Sequence, residues 1–146
     1  NPENGAAHVN RGNAYSALGE HKRAIQDYDR AVELDPDYVL GFYNRGLAYW
    51  NLRQNQRAIE NYDRAIELDP EYAGVYNQRG IAYLDLKRSE RAIEDYDRAV
   101  ELDPKYMKMV DHALAKAPSD TNPDHYVRKM VPFSQAKEQG DPYFKE

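Results

Sequence analysis

The pattern Arg-Ala-Ile-x-x-Tyr-Asp-Arg-Ala-x-Glu-Leu-Asp-Pro, varied at single positions, recurs at residues 23–36, 57–70 and 91–104, a period of 34 residues. Self-similarity at this period marks stacked helical hairpins, because a unit this short cannot bury its own apolar face and must lean on its neighbours. The chain is therefore expected to be all-α. Its function is to be sought on the surface of a stack rather than in an enclosed pocket.

The repeated stretch reads as an amphipathic helix. Ala24, Ile25, Tyr28, Ala31, Val32 and Leu34 recur at helical spacing on one side, while Gln26, Asp27, Asp29, Arg30 and Glu33 fill the other. Each copy ends in Asp-Pro. A residue before proline leaves the helical region, and proline suits the first turn of a new helix, so Asp35, Asp69 and Asp103 are expected to be N-caps worth roughly 1 kcal/mol each. Asn55 and Ser89 are expected to cap the second helix of their hairpins. Gly19 suits a left-handed helix end, but Arg53 and Lys87 stand in its place later, where those turns are either strained or built differently.

A second helix precedes each stretch, with His8-x-x-Arg11-Gly12-x-x-Tyr15, Phe42-x-x-Arg45-Gly46-x-x-Tyr49 and Tyr76-x-x-Arg79-Gly80-x-x-Tyr83 in register. Glycine inside a helix costs about 1 kcal/mol against alanine, and close approach of the partner helix is the expected reason for it. With Ala24, Tyr28 and Pro36 and their counterparts, these residues resemble the tetratricopeptide repeat (TPR) family over about residues 5–104. The resemblance implies a right-handed superhelical solenoid of three hairpins, at about 5–38, 39–72 and 73–106, closed by a capping helix at about 105–116. Residues 1–117 would form that domain and 118–146 an extended or disordered tail. Arginine at 11, 45 and 79 departs from the family's leucine, and a structural role is expected for it, with the guanidinium held by a carboxylate of the second helix.

Composition excludes several function classes. There is no cysteine, so thiol chemistry and disulfides are absent. A net charge of −5 argues against nucleic-acid binding, which needs a basic face. No apolar run approaches a membrane span, and the four histidines lack paired metal-ligand spacing. The many carboxylates alternate with Arg and Lys on solvated helix faces, and no phosphate loop or nucleophile motif occurs, so neither catalysis, nor a metal, nor a cofactor is expected. The opening Asn1-Pro2-Glu3-Asn4 echoes the Asp-Pro junctions, which suggests a segment of a longer protein.

The first helix of each hairpin turns a second face away from its partner, and this face is unusually apolar. Val9, Asn10 and Asn13, then Leu40, Tyr43, Asn44, Leu47, Trp50 and Asn51, then Asn77, Gln78, Ile81 and Leu84 lie on it, with Asp85 as its one charge. An apolar strip rimmed by amides has the composition of a binding groove. In the TPR family this face holds extended peptides, and two modes can be compared. The carboxylate clamp is matched at Asn13 and Asn44, but Val9, Gly74 and Gln78 stand where its basic residues belong. Asn10, Asn44 and Gln78 are similar to the asparagine ladder of the O-linked N-acetylglucosamine transferase repeats, in which amides bond a peptide backbone.

The resemblance thus implies a non-enzymatic protein-interaction module, a scaffold or adaptor, that takes a protein or peptide partner. The alternatives are a regulatory or substrate-docking region of a larger enzyme, or a solenoid that self-assembles with a neighbouring copy. The tail offers an internal occupant: residues 126–133, or Tyr143 and Phe144, could dock against Tyr43, Leu47 and Trp50.

Overall fold

A computed structural model describes residues 4–115 and shows among them seven α-helices and no strand. In chain order these are α1 (Gly5–Ala17), α2 (His21–Leu34), α3 (Val39–Asn51), α4 (Asn55–Leu68), α5 (Ala73–Asp85), α6 (Ser89–Leu102) and α7 (Met107–Ala115), with a 3-10 turn at Pro104–Tyr106 before the last. This is the all-α repeat fold that the 34-residue period predicts. The described residues fall into two compact units, one up to Glu71 with α1 to α4 and one from Tyr72 with α5 to α7. In the first, α1 packs on α2 and α3 on α4, α2 also packs on α3, and α1 reaches α3. In the second, α5 packs on α6, and the 3-10 turn folds back on α6.

Each hairpin closes around one tyrosine. Tyr28, Tyr62 and Tyr96 are fully buried between pairs of alanines that keep the helix face flat, Ala24 and Ala31, Ala58 and Ala65, Ala92 and Ala99. Opposite each ring lies the helical glycine. A Cβ on Gly12 would stand 2.6 Å from Tyr28 Cε1, one on Gly46 2.5 Å from Tyr62 Cε1, and one on Gly80 2.6 Å from Tyr96 Cε1. The glycines are thus explained by ring-to-backbone contact, which any side chain would wedge open.

The arginines brace the same junction. Arg11 donates from Nε and a terminal nitrogen to Asp27, at 3.0 and 2.6 Å, and Arg79 does the same to Asp95 at 2.8 and 2.7 Å. These two-pronged charged bonds are the strong kind. The second hairpin has Asn61 at this place, which accepts one bond from Arg45 Nε at 2.7 Å, while another Arg45 nitrogen turns to Asp29 of α2 at 3.0 Å. One amide oxygen cannot occupy the whole fork, so the arginine also ties its hairpin to the preceding one.

The turns correct two details of the sequence reading and decide a third. Asp35, Asp69 and Asp103 each accept from the amide two residues on, at 3.1 Å. However, Asp35 and Asp69 are the C-caps of α2 and α4, and the following α-helices begin only at Val39 and Ala73. The Asx bond with the proline completes a tight turn first, and for Asp103 that turn is the 3-10 segment. Asn55 and Ser89 are the first residues of α4 and α6 rather than caps, since Gln54 and Arg88 hold the cap positions without a side-chain bond. Arg53 and Lys87 keep the glycine's left-handed geometry, with φ of 62° and 60° beside 78° at Gly19. The structure therefore takes the strained alternative, and all three turns close with the same paired bonds, such as Gln54 N–H to Tyr49 C=O and Arg53 N–H to Trp50 C=O, both 2.9 Å.

After the 3-10 turn, α7 runs over Met107–Ala115, inside the expected 105–116 span. It buries Val110 completely and half-buries Ala113.

Candidate functional site

The predicted outward face is divided by the packing. Val9 is 2% exposed and sits in the core with Ala24, Tyr28, Ala31 and Ala48. Asn77 is likewise 2% exposed. Neither presents surface to a ligand, because the helix rotates that edge of its face into the neighbouring packing. Asn10, Asn13 and Asn51 are exposed, while Tyr43, Asn44, Leu47, Trp50, Gln78 and Ile81 are half-buried. Leu40 stays exposed. The Tyr43 ring leans on Tyr62, with centroids 6.2 Å apart.

Four of these residues meet in the first unit. Asn13, Asn44, Leu47 and Asn51 line a hollow of about 310 Å³ together with Ser16, Ala17, His21 and Tyr28. α1 and α3 supply its sides, and α2 contributes His21 and Tyr28, which the reading of the outward face left out. A signal for Tyr28 was present: Asn13 stands where the later hairpins have Leu47 and Ile81, so only in the first hairpin is the tyrosine hydroxyl offered an amide.

Hydrogen bonds set the hollow's polarity. The Tyr28 O–H donates to Asn13 Oδ1 at 2.6 Å. Ser16 Oγ and His21 Nδ1 are 3.2 Å apart, and Asn51 Nδ2 donates to the Leu47 carbonyl at 2.9 Å. Burial, with the nearby Asp27 charge, pushes the Tyr28 hydroxyl up to about 12, so it remains a proton donor at any physiological pH. No Asp, Glu, Lys or Arg lines the hollow. Such a surface can hydrogen-bond a neutral polar chain and cover apolar groups, but it has no lysine or arginine with which to pair an anion, and His21 is its one basic side chain.

A second depression, around residues 19–23 and Leu52, is walled by the exposed side chains Glu20, Lys22 and Arg23 of a turn. Among the described residues no group of acidic or histidine side chains is placed to hold a metal ion, and no helix is long and apolar enough to cross a membrane. The segments 126–133 and 143–144, proposed from the sequence as occupants of the groove, lie outside the described residues.

Family models described as "TPR repeat" and "Tetratricopeptide repeat" match residues 12–52 and 43–106, together about two thirds of the chain. The chain belongs to the tetratricopeptide repeat family. Among curated proteins no match was found. Among solved structures, the second TPR domain of human RPAP3 in complex with the HSP70 peptide SGPTIEEVD is 29% identical, with a TM-score of 0.71 over 75% of this chain and 91% of that one. The first TPR of Spaghetti (RPAP3), bound to the HSP90 peptide SRMEEVD, is 28% identical, with a TM-score of 0.70 over 80% and 97%. MamA, at 23% identity, shares the fold alone, with a TM-score of 0.79 over 97% and 81%.

Proposed function

We propose that this TPR chain is a protein-interaction module, without catalysis of its own, whose α1 and α3 bind an extended and partly apolar peptide segment. The observation that carries this reading is the hollow of the first unit, lined by Asn13, Asn44, Asn51 and Leu47 and by no Asp, Glu, Lys or Arg. Amides supply both donors and acceptors to a peptide backbone of any sequence, and Leu47, Tyr43 and Trp50 supply apolar surface. Asn10, at the exposed side of α1, extends the amide row, and Gln78 and Ile81 offer the equivalent face of α5 in the second unit.

The RPAP3 domains named above are bound to acidic HSP90 and HSP70 peptides, so a protein partner fits the fold. An acidic tail does not fit this chain. Val9, where a clamp would need a basic residue, is buried in the core, and no lysine or arginine lines the hollow. The test is fluorescence anisotropy with two probes, the peptide SRMEEVD and neutral peptides selected on the chain from a random library. The library peptides are expected to bind, to lose about fivefold or more in affinity on Asn44→Ala, and to change the fluorescence of Trp50, the single tryptophan. SRMEEVD is expected to show no saturable binding. Saturable SRMEEVD binding that ignores Asn44→Ala would overturn the proposal.

A further inference from the structure

The hollow holds an asymmetry that the peptide reading does not use. A distance of 2.6 Å between Tyr28 Oη and Asn13 Oδ1 is that of an O–H···O bond, shorter than amide N–H bonds usually are. An asparagine side chain has one acceptor end and one donor end. With its oxygen held by Tyr28, Asn13 turns its N–H bonds away from that ring. On α3, Asn51 is held the opposite way, one N–H of its amide engaged by the Leu47 carbonyl and its Oδ1 left to accept. The two amides thus offer a donor from α1 and an acceptor from α3, with Leu47 lining the same hollow.

The other hairpins show that the hydroxyl is not needed for packing. The Tyr62 and Tyr96 hydroxyls are buried without a hydrogen-bond partner in the protein, where Leu47 and Ile81 replace Asn13. Only the Tyr28 hydroxyl meets a side chain that faces the site.

We propose that Tyr28 is a positioning residue that holds the Asn13 amide with its oxygen towards the ring and its N–H bonds towards the hollow, so that the hollow selects the primary-amide side chain of a glutamine on the bound peptide. This rests on the peptide-binding reading above and names what that site recognises. A glutamine carbonyl accepts from Asn13, its N–H donates to Asn51 Oδ1, and its methylenes lie along Leu47. Glutamate has no N–H for Asn51 and would enter a hollow without a lysine or arginine to offset the cost of desolvating its charge. Three helices bound the hollow, so a side chain enters it while the peptide backbone stays on the rim.

The test uses the full chain with isotope labelling and three probes, the N-acetyl N′-methylamides of glutamine, glutamate and alanine. All three carry the same two backbone amides, so the alanine compound separates backbone recognition from side-chain recognition. The glutamine compound is expected to shift the side-chain amide resonances of Asn13 and Asn51 and to bind about fivefold tighter or more than the other two. Tyr28→Phe is expected to bring that preference close to unity while Tyr62→Phe keeps it, with thermal unfolding recorded for both. Asn13→Asp, at an exposed position that does not threaten the fold, still accepts from Tyr28 but presents no N–H, and is expected to lose the preference too. A glutamine preference that survives Tyr28→Phe and Asn13→Asp, or equal binding of all three compounds to the unmodified chain, overturns the inference. If library peptides still bind through Asn44 in that case, the peptide-binding reading stands and only the glutamine specificity falls.

Discussion

Tyr28, Tyr62 and Tyr96 are equivalent in sequence and fully buried, yet they differ in what their hydroxyls meet. Burying a hydroxyl without a partner forfeits its bond to water, a cost of about 1–3 kcal/mol, whereas one that finds an acceptor recovers about 0.5–1.5 kcal/mol. Tyr62→Phe and Tyr96→Phe are therefore expected to leave stability unchanged or raise it by about 1 kcal/mol. Tyr28→Phe should lower it by up to about 1 kcal/mol, since Asn13 is exposed and can turn to water. Urea unfolding of the three variants checks the contrast, and a common destabilisation by all three would show that the hydroxyls are equivalent after all. The arginine braces differ in the same manner. Asp27 and Asp95 fill the fork of Arg11 and Arg79, and the Arg11 hydrogen bonds hold the Asp27 carboxyl below the usual carboxylate range despite its burial.

At the level of the element, hairpin geometry is set by two backbone features. The first is the left-handed residue after α1, α3 and α5, which is glycine only once. A side chain there costs about 1–2 kcal/mol, part of which is regained because glycine also loosens the unfolded chain. Arg53→Gly and Lys87→Gly are each expected to stabilise the chain by about 0.5–1 kcal/mol, read as a raised urea midpoint at unchanged slope. The second feature is the helical glycine under each tyrosine. Gly46→Ala gains about 1 kcal/mol of helix propensity but drives a methyl group to 2.5 Å from a ring with no room to yield, and overpacking of this kind costs about 1–3 kcal/mol. The net expectation is a lowered unfolding temperature, and an unchanged or raised one would mean that Tyr62 shifts freely.

For the whole molecule, the buried tyrosines predict how the fold fails in base. Burial raises the Tyr28 hydroxyl to about 12 and those of Tyr62 and Tyr96 further, all above the ordinary value near 10. A group whose folded value is raised favours the folded state at full strength below its unfolded value, and loses that contribution as pH climbs towards its folded value. Stability should thus fall steadily from about pH 10 upwards. In a titration followed by tyrosinate absorbance and circular dichroism, these three rings should ionise only as helix content is lost. Full ionisation of every tyrosine near its ordinary value, with the helices intact, would contradict the packing.

Periodicity alone determined the fold class, the hairpin spacing and the inward faces, because apolar positions at helical spacing in three registered copies admit one arrangement. It also determined the arginine braces in outline and the reason for Gly12, Gly46 and Gly80, since a helical glycine and a cation repeated beside it both call for a close partner. The site was legible only in part. Asn13, Asn44, Leu47 and Asn51 come together as one face, but the rotation of each helix against its neighbours decides which edge of that face is covered, and it covers Val9 and Asn77. Helical spacing fixes angles within one helix and carries no information about that rotation. Likewise, the choice of left-handed turns at Arg53 and Lys87, the late starts of α3 and α5, and the bond from Tyr28 to Asn13 follow from distances between elements, which only the packed chain supplies.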